Sequence, residues 1–152
     1  MTERVLEVEM DYCPRPVFED FHDRQERWAV IVAHRRCGKT VLCINDLIYR
    51  ALIEDKEEGR YAYVAPYYSQ SKTIAWDYLV KFSKPVCAKA NQSELWVELI
   101  NGARIRLFGA DNPDSLRGLY LDGVVLDEYA DMKPSIFGAV IDRKSTRLNS
   151  SH

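Results

Sequence analysis

The chain has 152 residues, 47% hydrophobic and 29% charged, with a formal net charge of −2. That near-neutral balance excludes a global basic field, so any nucleic-acid contact must rest on local patches. No apolar run is long enough to span a membrane, and Cys13, Cys37, Cys43 and Cys87 form neither a CxxC pair nor a zinc-spaced set, which reads as reduced thiols in a single cytosolic domain.

Residues 1–17 carry Glu3, Glu7 and Glu9, which read against a secretion signal, and Pro14 and Pro16, which predict an extended arm. Phe18 to Arg27 predicts a short helix that holds Gln25. Trp28 to Ala33 predicts the first core strand, apolar throughout as in a parallel strand covered on both faces. Next comes Ala33-His34-Arg35-Arg36-Cys37-Gly38-Lys39-Thr40, which fits G-x-x-x-x-G-K-[ST] with Ala33 in place of the first glycine. Backbone N–H groups of such a loop cradle phosphates, and the helix N-terminus behind it adds partial positive charge. On this pattern Lys39 reaches the β- and γ-phosphates of ATP and Thr40 holds Mg²⁺. Arg35 and Arg36 make the loop unusually cationic, and guanidinium groups suit phosphate oxygens because they bond bidentately.

Lys39 to Asp55 predicts a helix, with Val41, Ile44, Leu47, Ile48, Ala51 and Leu52 at 3–4 spacing. Tyr61 to Ala65 predicts the second strand, stopped by Pro66, and Ser69 to Ser83 a second helix. Leu95 to Ile100 and Ala103 to Phe108 flank Asn101-Gly102, a hairpin signal because both turn residues must accept positive φ. Asp111 to Tyr120 predicts a loop containing Arg117 and Gly118, and Lys133-Pro134 opens a last short helix. Between them, Gly123-Val124-Val125-Leu126-Asp127-Glu128 predicts an apolar strand tipped with two acids. In P-loop ATPases the strand-terminal Asp organises Mg²⁺, and an adjacent Glu is placed to polarise the attacking water. Strands alternating with helices imply a three-layer α/β sheet with its ligand at the C-terminal strand ends.

RWAVIVAHRRCGKT, YVAPYYSQSKTIAWDYL, NGARIRLFGADNPDSLRG and LDGVVLDEYADM occur in an order and spacing that resemble the large terminase subunit of tailed phages, over residues 18–141. The resemblance implies a P-loop ATPase of the additional-strand, catalytic-glutamate type with a mostly parallel central sheet. It implies a motor, active in the host cytoplasm as a homo-oligomeric ring, that drives double-stranded DNA into a prohead together with a portal and a small terminase subunit. By resemblance Glu128 is the catalytic acid, Asp127 and Thr40 serve the metal, and one of Arg35 and Arg36 orients the γ-phosphate. Arg117 becomes a candidate arginine finger acting on a neighbouring subunit's ATP, against the plainer reading of an Arg that bonds loop carbonyls. Gln25 becomes a candidate for reading the adenine edge, against a surface Gln.

The family's nuclease acids and the coupling motif after the acid-tipped strand have no match here, so the expectation for this chain alone is nucleotide binding with little turnover. The peptide 142–152 resembles one reading frame of a common sequencing adapter, so native information is expected to end near Ile141. Two other functions stay open: another P-loop nucleic-acid motor such as a helicase, and a non-catalytic prophage remnant.

Overall fold

The computed structural model describes residues 7–34, 36–54, 56 and 58–140. Arg35 and the adapter-like peptide 142–152 therefore lie outside the described residues. The chain enters through α1 (Pro16–His22) and a long irregular stretch, then forms α2 (Lys39–Ile53) and β1 (Arg60–Ala65). A helical segment follows: α3 (Tyr68–Gln70), a π turn at Ser71–Ala75, and α4 (Trp76–Ser83). The remaining strands are β2 (Cys87–Asn91), β3 (Trp96–Leu99), β4 (Arg104–Gly109) and β5 (Gly123–Leu126), and α5 (Ser135–Val140) ends the described chain.

The sheet has five strands in the order β2-β3-β4-β1-β5. Its core is parallel: β1 pairs with β4 on one side and β5 on the other. β2 and β3 extend it antiparallel at one edge, so a parallel central sheet, as expected, sits within a mixed one. The β3–β4 hairpin does turn at Asn101-Gly102, but only Gly102 takes positive φ, at 86°; its N–H donates to the Leu99 carbonyl, so Ile100 and Asn101 are the central turn residues rather than Asn101 and Gly102.

Side chains alternate across β1. Tyr61 and Tyr63 face α2 and α4, packing with Ile44, Leu47 and Leu79, while Ala62 and Val64 face Leu116, Met132 and Ile136 on the other side. Two apolar clusters on opposite faces of one sheet make three layers. The π turn places Ser71 inside, where its Oγ donates to the Phe108 carbonyl at 2.7 Å.

A buried carboxylate anchors the N-terminal segment to α2. Asp46 receives Arg24 through two bonds of 3.0 and 2.9 Å and His22 Nδ1 at 3.2 Å, with Arg50 Nε at 3.8 Å. Arg50 also donates to the His22 and Arg24 carbonyls. Charge this deeply placed is tolerated because it is paired and bidentately bonded.

Two expectations are corrected, and one strand was not expected. Trp28 to Ala33 forms no strand; Val30 and Val32 are 89% and 92% exposed. Among the described residues the segment has no ladder partner, and its cover is partial: Trp28 stacks on Phe137, and Ile31 and Ala33 are half-buried. The helix expected at Phe18 to Arg27 runs instead over Pro16–His22, where Pro16 supplies first-turn geometry and Arg24 is drawn into the Asp46 cluster. Cys87–Asn91 pairs as an edge strand although its composition gives no alternating pattern.

Gly109 ends β4 where a Cβ would strike the Tyr68 backbone and the Asp111 carboxylate. Gly109→Ala should destabilise the fold by about 2 kcal/mol, a Tm fall of roughly 5–10 °C, because overpacking against backbone cannot relax. Gly138→Ala in α5, where nothing lies within 4 Å, should leave Tm unchanged or raised. Thermal denaturation followed by circular dichroism decides both.

Candidate functional site

The phosphate-loop sequence and the acid-tipped strand meet in space. Gly38 caps α2 with φ 89°, a left-handed conformation that only glycine adopts without strain, and Lys39 is the first helical residue. Thr40 follows in the first turn, and its Oγ1 donates to Asp127 Oδ2 at 2.9 Å across 87 residues of sequence. Asp127 directly follows the C-terminal end of β5, so the junction sits where a parallel sheet places its ligands.

Asp127 is 7% exposed and richly bonded. Besides Thr40, its Oδ2 accepts the Tyr63 hydroxyl at 2.5 Å, and its Oδ1 accepts the Glu128 N–H at 3.0 Å. Burial, then the Asp127 charge, pushes the Tyr63 phenol well above its ordinary range. Tyr61, two residues earlier on the same face, donates to Glu54 at the far end of α2 at 2.6 Å, and its phenol is likewise raised by burial and that carboxylate.

Glu128 turns the chain out of the sheet with φ 52°, ψ 45°, and its side chain is exposed. Left-handed backbone in a non-glycine residue costs on the order of 1–3 kcal/mol and concentrates at functional sites. Arg36 shares this geometry at φ 66° and is exposed beside the loop. Cys37 is buried, and its carbonyl accepts Arg15 Nη1 at 3.2 Å. Ala33 is half-buried and His34 exposed.

A cavity of about 410 Å³ opens beside the loop, lined by Tyr12, Arg15, Phe18, Cys37, Gly38 and Val41 among others. That volume lies within the range of small-ligand sites. Gln25 is not among its lining residues; it is exposed, and its amide makes a long 3.4 Å bond to the Asp23 carbonyl. Arg117 stands on an exposed loop after a 3₁₀ turn at Pro113–Leu116, before Gly118 at φ 76°, and pairs with Asp114 at 3.7 Å. With both side chains mostly solvated, such a pair contributes little to stability.

The donor set suits a hard divalent cation. Thr40 and Asp127 present oxygens to each other beside the loop. Among the described residues no cluster of three or more His, Cys, Asp or Glu could hold a metal by itself. Mg²⁺ characteristically takes one or two protein oxygens and completes its shell with phosphates and water, so the residues present fit it. Tyr63, Arg15 and the Asp46 cluster were not legible as site features. The available signal was that a tyrosine in a buried strand must find a partner for its hydroxyl.

No protein-family profile matches the sequence, and no curated protein matches it. Solved structures do share its fold. The large terminase ATPase domain of Thermus phage P74-26 superposes with a TM-score of 0.72 at 24% identity, covering 86% of this chain and 60% of that one. A variant of that domain carrying one arginine-to-alanine substitution superposes with a TM-score of 0.70 at 20% identity over the same shares. The chain thus spans about 60% of the length of these structures, and the likeness establishes the α/β fold of a terminase ATPase domain.

Cys43, on the inner face of α2, has its thiol pushed up to about 12 by burial, then by the nearby Asp127 and Asp46 carboxylates. At pH 8 a thiol reagent should modify exposed Cys13 rapidly and Cys43 only after unfolding. The stability Cys43 contributes is complete below its ordinary value of 9.0 and is lost as pH rises from there towards 12. Mass-spectrometric mapping of labelled peptides checks the first statement, and denaturation midpoints between pH 8 and 11 check the second.

Proposed function

We propose that this chain is the ATPase part of a phage large terminase, which hydrolyses ATP to drive double-stranded DNA into a prohead. The observation that carries the reading is the 2.9 Å bond from Thr40 to Asp127, which joins a phosphate loop to an acid pair at one end of a parallel sheet. The terminase-like fold and the order of its sequence blocks support the same reading.

In this proposal the loop N–H groups and Lys39 bind the β- and γ-phosphates, with ATP as substrate and Mg²⁺ as its partner. Thr40 and Asp127 hold Mg²⁺, which supplies charge neutralisation at the phosphates when bound. Glu128 accepts the proton of the attacking water, and its exposed position lets it face that water. Arg36 orients the γ-phosphate, and Arg35 is the other candidate for that task. The cavity at Gly38 and Val41 adjoins the loop and has room for a nucleoside, which favours its aromatic lining over Gln25 as the base contact.

Arg117 is proposed to act on the ATP of a neighbouring subunit in a homo-oligomeric ring. Its exposure and weak intrachain pairing support that role over the bonding of loop carbonyls. A portal, a small terminase subunit and the host cytoplasm complete the setting. No described helix is long and apolar enough to cross a membrane.

Lys39→Ala should abolish Mg²⁺-dependent ATP binding in isothermal titration calorimetry, and unchanged affinity would sink the nucleotide site. In the full-length parent protein, assembled as a ring, Arg117→Ala should leave ATP affinity intact and lower turnover by about 10³-fold or more, since a finger meets charge that develops in the transition state. Mixing Arg117→Ala subunits with Glu128→Gln subunits should restore ATPase activity, because each supplies the half-site the other lacks. A mixture as inactive as either variant would return Arg117 to a local structural role.

A further inference from the structure

We infer that Tyr63 is a positioning residue for Asp127: its hydroxyl fixes which carboxylate oxygen is left open towards Mg²⁺. The inference rests on the nucleotide site proposed above and adds a residue to it.

Tyr63 lies in β1, 3% exposed, under α2. Its O–H donates to Asp127 Oδ2 at 2.5 Å, and Thr40 donates to the same oxygen at 2.9 Å. The Glu128 N–H donates to Oδ1 at 3.0 Å. A carboxylate oxygen offers about two acceptor positions. Two hydroxyls therefore saturate Oδ2, while Oδ1 keeps one position open. An acid that serves Mg²⁺ through a coordinated water needs such a free, oriented acceptor.

The two hydroxyls differ in what they can do. Thr40 heads α2 beside the phosphates and is itself a metal-ligand candidate. Tyr63 sits deep in the sheet, and its ring is held by core packing, so it only orients.

The hydroxyl is not needed to hold the strands together. β1 and β5 are already paired in parallel register, with Tyr63 opposite Val125 and Val64 opposite Leu126. A phenylalanine would fill the same space and keep that ladder. It would leave Oδ2 with one donor and free the carboxylate to rotate about its own bond.

The test is Tyr63→Phe in the full chain, with ATP binding followed by calorimetry over a Mg²⁺ series and in EDTA. The Mg²⁺ concentration for half-maximal enhancement of affinity should rise about tenfold, as expected when one hydrogen bond to a charged group is lost. Affinity in EDTA should not change. In an Asp127→Asn background, which removes the carboxylate that Tyr63 orients, Tyr63→Phe should no longer shift the midpoint. A lowered Tm with an unmoved Mg²⁺ midpoint would make the hydroxyl merely structural and overturn the inference, as would loss of the folded circular dichroism signal. If the unaltered chain binds no ATP at any Mg²⁺ concentration, the nucleotide site itself falls and Tyr63's role falls with it. Binding without a midpoint shift rejects Tyr63's role alone.

Discussion

One buried carboxylate sets the geometry on which the candidate site depends. Asp127 accepts the Thr40 hydroxyl from α2, the Tyr63 hydroxyl from β1 and the Glu128 N–H from its own turn. A carboxylate taken out of water must be bonded or its burial is prohibitive. Low surrounding dielectric then makes each of those bonds stronger than it would be at the surface. The head of α2, the sheet and the Asp127-Glu128 turn therefore cannot shift independently: moving any one would leave a buried oxygen unsatisfied.

The same logic holds α2 along its whole length. Its N-terminal turn is tied to β5 through Thr40 and Asp127, and its C-terminal end receives Tyr61 at Glu54. Between them Asp46 is gripped by Arg24 and His22 from the segment that leads into the loop. α2 is thus fastened at both ends and in the middle by polar contacts, over an apolar face packed on the sheet. Rigid support of this kind suits a site that works by positioning and fixed charge.

The exposed cations contrast with that clamp. Arg36 stands beside the loop in strained backbone, and Arg117 stands on a glycine-bounded turn with a solvated partner. Under the proposed function the metal side of the site is pre-built inside the chain. Charge for the transition state would then come from side chains free to approach after nucleotide binds. Glu128 lies at the boundary, its backbone fixed to Asp127 and its side chain in solvent.

Local chemistry was enough to read much of this from the sequence. Helical periodicity placed α2 nearly to its ends, Asn101-Gly102 placed the β3–β4 turn, and the acid-tipped apolar run placed β5. Thr40 and Asp127, picked out from two separate motifs, lie within a hydrogen bond of each other. What the sequence could not decide depends on partners remote in the chain. Trp28 to Ala33 has a strand's composition, but a strand needs a neighbour for its backbone bonds and cover for both faces, and only the tertiary arrangement shows that it lacks the neighbour and that Val30 and Val32 face solvent. Cys87–Asn91 is a strand because β3 offers it an edge. Tyr63 reads as one more core aromatic until the fold brings Asp127 to its hydroxyl, 64 residues away. Composition and period determine which segments can be helix or strand; which of them pair, and which buried polar group meets which, is settled only when the layers close.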